Sequence, residues 1–258
     1  MTRDQGNYSH PMKIVVTGGS GLLGSEVVRT LAAAGATVTS ASRRTGVDLA
    51  TGAGLEGAMN GADCVVHAAT HRLRSRGVEL DGARRMIKIF ANRPTPPHIV
   101  YISIVGCDRI PLRYYRVKYA CELALERSQL PVTVLRATQF HTLIREIARA
   151  VTFGPLSFAP RGMSFQPCDH RWVARELAEI ALKPAPSGYQ RAADHAGPER
   201  VSLSEAVQLI RAKNGKPPTR MITLPPIGGV LQAFERGADL PDADATIGGS
   251  SFSEFLTP

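Results

Sequence analysis

Short runs of apolar, β-branched residues alternate with stretches of helical composition along the first half of this chain. Strands are predicted at residues 13–16, 36–41, 46–49, 63–69, 98–102 and 132–136. Helices are predicted between them, over residues 25–34, 52–61, 78–92 and 112–128. Strands and helices that alternate in this way form a parallel sheet with helices on both faces. The pattern therefore predicts an α/β protein with a doubly wound parallel sheet, whose ligands bind at the carboxyl ends of the strands.

The strict alternation fades beyond about Thr138. The sequence there predicts a helix at 141–153, a loop rich in Gly, Pro and aromatics at 153–163, a short strand at 166–169 and a helix at 172–182. A linker at 184–188 is followed by a predicted helix at 202–212, a strand at 222–226 and a helix at 227–237. Ser202 and Glu205 form the sequence pattern of a capping box at the start of the first of these helices.

A glycine-rich loop separates the first strand from the first helix. Its sequence is Thr-Gly-Gly-Ser-Gly-Leu-Leu-Gly at residues 17–24. Glycine permits positive φ angles and close approach of a ligand to the backbone, and the following helix directs its free N–H groups at an anion. A P-loop would need Lys after the last glycine, but Ser25 and Glu26 stand there. The strand, loop and helix together predict dinucleotide binding, and a plain connecting turn is the alternative.

The end of the second strand indicates which dinucleotide is bound. A protein selective for NAD places a carboxylate there to bind the ribose 2′-hydroxyl. This chain has Ser42, Arg43 and Arg44 instead. Because a guanidinium matches a 2′-phosphate in charge and in its forked donors, we predict NADP(H) rather than NAD(H). Ordinary loop arginines are the alternative.

Three polar residues are predicted to lie at the edge of the sheet where its parallel strands end. Tyr114 and Lys118 are four residues apart on a helix and therefore share a face. Ser103 ends the preceding strand. A phenol beside an ammonium group suits general acid–base chemistry, and a serine hydroxyl suits the orientation of a carbonyl oxygen. A surface tyrosine and lysine on a helix is the alternative.

These motifs resemble the extended and atypical, NmrA-like short-chain dehydrogenase/reductases, and the resemblance covers nearly the whole chain from Met12. It rests on the glycine loop, on Tyr-x-x-x-Lys continued to Glu122, on Ile-Ser-Ile-Val-Gly-Cys-Asp at 102–108, and on segments 135–141, 165–169 and 196–199. It implies a Rossmann fold, with an NAD(P)-binding domain at 12–183 that includes a substrate-side loop at about 138–165, and a smaller substrate-side lobe at 184–258. Residues 1–11 are polar, which predicts a flexible tail or an upstream start ahead of Met12.

The resemblance also implies residue roles. Tyr114 would donate or accept the substrate proton, Ser103 would orient the carbonyl oxygen, and Lys118 would favour the phenolate and hold the nicotinamide ribose. The complete set of cofactor-binding residues predicted is Thr17, Gly18, Gly19, Ser20, Gly21, Leu22, Leu23, Gly24, Ser42, Arg43, Arg44, Asp48, Leu49, Ala68, Ala69, Thr70 and Lys118. Of these, Asp48 and Leu49 would lie against the adenine, or Asp48 would cap a turn.

Several neighbouring residues invite other interpretations. Only ten residues separate Ser103 from Tyr114, a short interval for the wider family. Tyr115 competes with Tyr114 but has no lysine four residues on. We expect Glu122 to pair with Lys118 or an arginine, and His67 to serve packing or hydrogen bonding.

The substrate is predicted less specifically than the cofactor. Residues proposed to contact it are Gln139, Phe140, His141 and Phe153. His141 is either a second acid/base or a structural residue. A pocket lined partly by Phe140, Phe153, Leu156 and Phe158 suggests a small, apolar ketone or alcohol. The function predicted is NADP(H)-dependent hydride transfer. A non-catalytic dinucleotide-binding regulator and an NAD-dependent epimerase or dehydratase remain alternatives.

Composition narrows the class of protein further. The 258 residues are 43% hydrophobic and carry a formal net charge of +9, but the arginines are scattered without interleaved aromatics, which argues against nucleic-acid binding. The four cysteines are far apart, without a C-x-x-C pair, so neither a metal site nor a disulfide framework is expected. No membrane span or signal core is seen. We expect a cytoplasmic enzyme, monomeric or homodimeric.

Overall fold

The computed structural model describes residues 11–71 and 74–257 of the chain. The tail predicted at residues 1–11 therefore lies outside the described residues, apart from Pro11. The same holds for Arg72 and Leu73 within the charged segment predicted as a loop at 71–77.

The described elements follow the predicted alternation in the first half of the chain. The strands are β1 (Lys13–Thr17), β2 (Thr37–Ala41), β3 (Cys64–His67), β4 (His98–Ile104), β5 (Val132–Ala137), β6 (Thr152–Phe153), β7 (Leu156–Pro160), β8 (Ser164–Phe165), β9 (Tyr189–Arg191), β10 (His195–Ala196), β11 (Val201–Ser202), β12 (Arg220–Leu224) and β13 (Thr246–Ile247). The helices are α1 (Leu22–Ala33), α2 (Leu55–Met59), α3 (Asp81–Phe90), α4 (Arg113–Glu126), α5 (His141–Ala150), α6 (His170–Leu182), α7 (Leu203–Lys213), α8 (Gly229–Glu235) and α9 (Phe252–Phe255).

The main sheet is mostly parallel, which confirms the predicted fold class. Its strand order is β13-β10-β5-β4-β3-β1-β2, and β9 pairs with β5. Strand β1 lies between β2 and β3, with Val15 opposite Thr39 on one side and Val65 on the other. Every residue of β3 is buried, as expected for a strand covered on both faces.

Contacts divide the chain into two compact units that interleave in sequence. One comprises the chain up to Tyr101 together with Leu125–Thr133 and Ala174–Tyr189. The other comprises Ile102–Ala124, Val134–Val173 and the chain from Gln190 onwards. Strands β4 and β5 contribute residues to both units. The domain boundary at 184 remains a prediction.

The first unit contains the predicted strand–loop–helix at its start. Helix α1 buries Leu23, Val27 and Leu31, whose spacing of four residues makes one apolar stripe along the helix. The second unit has its own apolar cluster, which includes Ile144, Phe165 and Phe234. It also holds two small sheets, one of β11 and β8 and one in the order β12-β7-β6.

Three local predictions of secondary structure were wrong. The short strand predicted at 166–169 is absent; β8 ends at Phe165, and only Cys168 forms an isolated bridge, with Phe140.

Residues 46–49 form no strand, because Asp48 Oδ1 accepts a hydrogen bond from the backbone N–H of Ala50 at 2.8 Å and turns the chain. The predicted loop at 153–163 is largely a hairpin, in which β6 and β7 pair antiparallel around Gly154, whose φ is +59°. That positive φ is what glycine permits in a tight turn.

One further finding concerns membranes. Within the described part of the chain, no helix is both long enough and apolar enough to cross a bilayer.

The capping box predicted at helix α7 is formed and gives a test of the fold. The backbone N–H of Glu205 donates to Ser202 Oγ at 3.1 Å, and the N–H of Ser202 donates to Glu205 Oε2 at 2.8 Å. The latter bond lowers the pKa of Glu205, so this contribution to stability is lost as the pH falls through that lowered value. We expect Ser202→Ala to destabilise the protein by about 1 kcal/mol in urea unfolding, whereas Ser204→Ala in the first turn leaves stability nearly unchanged. Equal effects of the two variants would contradict the role of the cap.

Candidate active site

The glycine loop after β1 is packed against the backbone that follows β3. Gly18 has a φ of +72°, and a Cβ built there would lie 2.6 Å from the Cα of Ala69. A Cβ on Gly24 would collide with the carbonyl oxygen of Gly18, so helix α1 starts directly against the loop. Only glycine fits these two positions without moving the backbone.

The N-terminus of α1 is open to an anionic ligand. Gly21 is the N-cap residue, no side chain caps the helix, and no acidic residue lies in the first turn. Ser20, Gly21 and Leu22 are exposed. The first N–H groups of a helix attract phosphate when no side chain occupies them, so this end has the chemistry of a pyrophosphate site.

Thr17 and His67 form a buried pair beneath the loop. Thr17 Oγ1 lies 2.7 Å from His67 Nδ1, and His67 Nε2 lies 3.2 Å from the carbonyl oxygen of Glu79. Because a carbonyl only accepts, Nε2 carries the proton and the Thr17 hydroxyl donates to Nδ1. His67 thus has the hydrogen-bonding role expected for it. The Thr17 hydroxyl is engaged in the core, so any contact of Thr17 with a cofactor involves its backbone.

Glu79 organises the next loop, and sequence reasoning missed it. Its side chain is fully buried in a π-helical turn at Arg76–Leu80. Thr70 Oγ1 donates to Glu79 Oε1 at 2.6 Å, and the Tyr101 hydroxyl donates to Oε2 at 3.3 Å. These bonds fix the Ala68–Thr70 segment. A glutamate inside a predicted amphipathic helix gave no signal of this role.

The end of β2 presents two arginines. A single 3-10 turn at Arg43–Thr45 follows Ser42, and both guanidinium-bearing residues are exposed. The neighbouring Asp48 caps a turn, which is one of the two roles considered for it. Leu49 is buried, and its carbonyl oxygen accepts from Arg85 Nη1 at 2.9 Å. An exposed pair of guanidinium groups at this position suits an anionic ligand.

Tyr114 and Lys118 lie together on α4. Lys118 is only 4% exposed, and its Nζ donates to the carbonyl oxygen of Ile102 at 2.9 Å. The same Nζ lies 5.8 Å from the centre of the Tyr114 ring. Tyr114 is partly buried at the edge of the apolar cluster of the second unit. The predicted juxtaposition of phenol and ammonium is therefore present, next to the end of β4.

Ser103 follows Ile102 but is drawn into a buried network. Its Oγ donates to Cys107 Sγ at 3.7 Å, and Cys107 Sγ donates to Glu122 Oε1 at 3.3 Å. Glu122 is paired with Arg136, so the expectation that it would pair with Lys118 or an arginine is met by the arginine. Sequence spacing could not identify Arg136 or Cys107 as members of this network.

Tyr115 is held in a different environment from Tyr114. It is 4% exposed, and its hydroxyl accepts a hydrogen bond from Gln139 Nε2 at 2.9 Å. Burial raises the pKa of Tyr115, which makes it a poor proton donor. Gln139, a residue predicted to contact the substrate, thus uses one of its two amide N–H groups in a hydrogen bond with Tyr115.

The other predicted substrate residues are spread over the second unit. His141 is buried, its Nε2 lies 2.9 Å from the carbonyl oxygen of Ser250, and its ring stacks on Phe255. Burial lowers the pKa of His141. This is the structural role considered for it, since the ring anchors the C-terminal segment. Phe140 packs near His170, whereas Phe153 is 63% exposed and contacts Phe158.

One family model matches part of the chain. Residues 14–88 match the NAD dependent epimerase/dehydratase family. No curated protein sequence gives a significant match. The matched segment carries the glycine loop, strands β1 to β3 and the Glu79 turn.

Solved structures of enzymes, some with a bound nicotinamide dinucleotide, share the fold over nearly the whole chain. An NADPH-dependent quinone oxidoreductase of Escherichia coli, complexed with NADPH, has a TM-score of 0.72 at 17% identity, covering 95% of this chain and 98% of that one. A nucleoside-diphosphate-sugar epimerase of Staphylococcus aureus has a TM-score of 0.70 at 17% identity, covering 96% and 100%. The Bordetella bronchiseptica enzyme WbmH, in complex with NAD⁺, has a TM-score of 0.70 at 15% identity, covering 96% of each chain.

The family model supports the resemblance to the extended short-chain dehydrogenase/reductases over residues 14–88, and the solved structures show the same fold over nearly the whole chain. Other structures with this fold include a dTDP-glucose 4,6-dehydratase of Bacillus anthracis in complex with NAD, at a TM-score of 0.65 and 15% identity, covering 95% of each chain. Of these similar structures, one thus contains NADPH and two contain NAD. At such low identity they establish the architecture, and the particular reaction must be argued from this chain's own residues.

A buried carboxyl group in the second unit gives a test of its electrostatics. Asp239 is fully buried. Burial raises the pKa of Asp239 to about 7, against the opposing effects of hydrogen bonds from its own backbone N–H and from Gln139, and of the charges on Arg200 and Arg109. The protonated acid is thus favoured in the folded state, and stability is lost as the pH rises from about 4 to about 7.

We expect Asp239→Asn to remove this pH dependence. Its stability relative to the parent protein should increase between pH 5 and pH 8 by about 1 kcal/mol or more, measured by urea unfolding at both pH values. Asp242→Asn, at a half-exposed carboxylate paired with Arg109, is the control and should show no such increase. If the stabilities of Asp239→Asn and the parent changed with pH in the same way, the buried carboxyl group would not be the source of the pH dependence.

Proposed function

We propose that this protein is an NADP(H)-dependent oxidoreductase that transfers hydride between the nicotinamide and a small, apolar ketone or alcohol. The observation that carries the proposal is the Tyr114–Lys118 pair on α4, with the ammonium group 5.8 Å from the phenol ring and bonded to the strand end beside Ser103. A phenol supported by a buried cation is suited to transfer a proton to or from a substrate oxygen.

The dinucleotide would be held by residues of the glycine loop and its neighbours. The fit rests on the packed Gly18 and Gly24 positions and on the uncapped, acid-free start of α1, which together suit a pyrophosphate. Thr17 and the loop Ala68–Thr70 would face the cofactor with backbone groups. When bound, the nicotinamide supplies the hydride chemistry, and the protein supplies orientation and proton transfer.

Each residue of the proposed catalytic set has one task. Tyr114 moves the proton at the substrate oxygen. Lys118 holds the ribose hydroxyls. Ser103 forms a hydrogen bond with the substrate oxygen. Phe140 and Phe153 would contribute apolar surface for the substrate, which supports a preference for an apolar compound.

The preference for NADP(H) rests on the exposed arginines after β2. Arg43 and Arg44 lie on the turn where proteins selective for NAD carry a carboxylate. Two guanidinium groups there favour a 2′-phosphate, because charge-assisted and bidentate bonds to phosphate are strong. The similar structures contain either cofactor, so the argument depends on these two residues.

A dinucleotide-binding regulator without turnover is the second candidate function. The observation in its favour is that the Ser103 hydroxyl donates to Cys107 rather than being left for a ligand. An epimerase or dehydratase is supported by the family model that matches residues 14–88. That segment lacks Tyr114 and Lys118, so the match bears on nucleotide binding more than on the reaction.

Replacement of the proposed proton donor separates an enzyme from a regulator. We expect Tyr114→Phe to lower kcat by about a hundredfold or more, because general acid–base transfer is lost, while NADPH affinity measured by calorimetry changes less than about threefold. Tyr119→Phe, on the exposed side of the same helix, is the matched control and should retain turnover. Undiminished activity of Tyr114→Phe in a carbonyl-reduction assay would refute this mechanism.

The cofactor preference is tested by the double substitution Arg43→Ser and Arg44→Ser. We expect the affinity for NADPH to fall about tenfold or more and that for NADH to change little, since only the phosphate contacts are removed. Calorimetric titration with both dinucleotides measures the effect. Arg127→Ser, an exposed arginine after α4, controls for the loss of general positive charge. A parent protein that binds NADH more tightly than NADPH would overturn the preference.

A further inference from the structure

A chain of buried polar contacts runs from β5 to Ser103. Arg136 on β5 binds Glu122 on α4 in a forked arrangement, with Nε 2.9 Å from Oε1 and Nη2 2.7 Å from Oε2. The side chains of Arg136 and Glu122 are 6% and 3% exposed. Arg136 Nη1 also donates to Asp108 Oδ2 at 3.0 Å. One guanidinium group thus fixes a carboxylate on the helix and another in the segment after β4.

Cys107 extends this chain from the ion pair to Ser103. Its thiol donates to Glu122 Oε1 at 3.3 Å, and its sulfur accepts the Ser103 hydroxyl hydrogen at 3.7 Å. Burial raises the pKa of the Cys107 thiol to about 12, and the nearby Glu122 adds to the effect. The thiol therefore remains protonated near neutral pH and continues to act as a donor.

The direction of these bonds determines what Ser103 offers to a ligand. A hydroxyl group has one hydrogen and two acceptor lone pairs. The single O–H hydrogen of an alcohol substrate is donated to Tyr114 in the proposed reaction, so Ser103 can bind the oxygen of either an alcohol or a ketone only as a donor. With its hydrogen directed at Cys107, Ser103 makes that donation only once the Cys107 contact breaks.

We propose that Cys107 is a positioning residue, which links the Arg136–Glu122 ion pair to Ser103 and restrains the Ser103 hydroxyl hydrogen, so that Ser103 binds a substrate oxygen only when the Cys107 contact breaks. The consequence for substrate binding rests on the proposed function. The positioning of Ser103 by Cys107 does not, because it concerns contacts within the protein alone.

Infrared spectroscopy of the S–H stretch tests the chain without any ligand. The band lost in Cys107→Ala identifies the Cys107 thiol. We expect this band to shift to higher frequency in Glu122→Gln, where a neutral amide replaces the carboxylate acceptor, and in Ser103→Ala, where the cooperative donor is lost. Cys64→Ala, at a fully buried cysteine on β3, should leave the Cys107 band in place.

A double-mutant cycle, measured by thermal unfolding, gives a second test if Glu122→Gln fails to fold. The Tm losses of Ser103→Ala and Cys107→Ala should add to more than the loss in the double variant, because both remove the same contact. Cys107→Ser, whose hydroxyl can donate and accept in the same way, should recover part of the coupling. An unshifted Cys107 band in Ser103→Ala, or fully additive Tm losses, would overturn the positioning role.

The effect on substrate binding is measured with cyclohexanol and cyclohexanone in the presence of NADP⁺ and NADPH. We expect Cys107→Ala to lower the KM values of both compounds about two- to fivefold, with NADPH affinity unchanged, because the Ser103 hydroxyl no longer has to leave the thiol. The effect should vanish in the Ser103→Ala background and should be absent in Cys64→Ala. Turnover of neither compound would count against the proposed function, whereas unchanged KM values in an active Cys107→Ala variant would overturn the proposed restraint.

Discussion

The burial of the Lys118 ammonium group is the constraint on which the candidate active site depends. A cation removed from water is costly unless polar groups surround it, and here the carbonyl oxygen of Ile102 accepts from Nζ at 2.9 Å. Ile102 lies near the end of β4, so this bond ties helix α4 to the strand end. Tyr114 precedes Lys118 by one helical turn and therefore lies on the same face. The hydrogen bond from Lys118 to Ile102 therefore also determines where the Tyr114 phenol lies.

Features that depend on local spacing could be predicted from the sequence. The strand–loop–helix at 13–33 could be predicted because its glycines are typical of a tight loop between a strand and a helix. The Tyr114–Lys118 pair could be predicted because residues four apart share a face of a helix. The capping box formed by Ser202 and Glu205 is likewise a pattern within four consecutive residues. In each case the interacting groups are close in the chain, so the sequence contains both partners at a fixed separation.

Features that depend on distant partners could not be predicted. Glu122 was expected to pair with an arginine or with Lys118, but nothing local selects Arg136 on another strand. His141 is anchored by Ser250, which lies 109 residues away in sequence. The predictions around Asp48 and Gly154 failed for a different reason. A short stretch of sequence at each place fits both a strand and a loop, and its pattern does not decide between them. Burial of polar groups such as Glu79 is decided by tertiary packing.

A crystal structure of the protein with NADP⁺ is the most direct measurement of the central claim. The account predicts the pyrophosphate at the start of α1, Lys118 Nζ within hydrogen-bond distance of the nicotinamide ribose, and the Tyr114 hydroxyl directed at the nicotinamide. A nucleotide bound elsewhere, or a Tyr114 hydroxyl directed into the apolar cluster of the second unit, would contradict it.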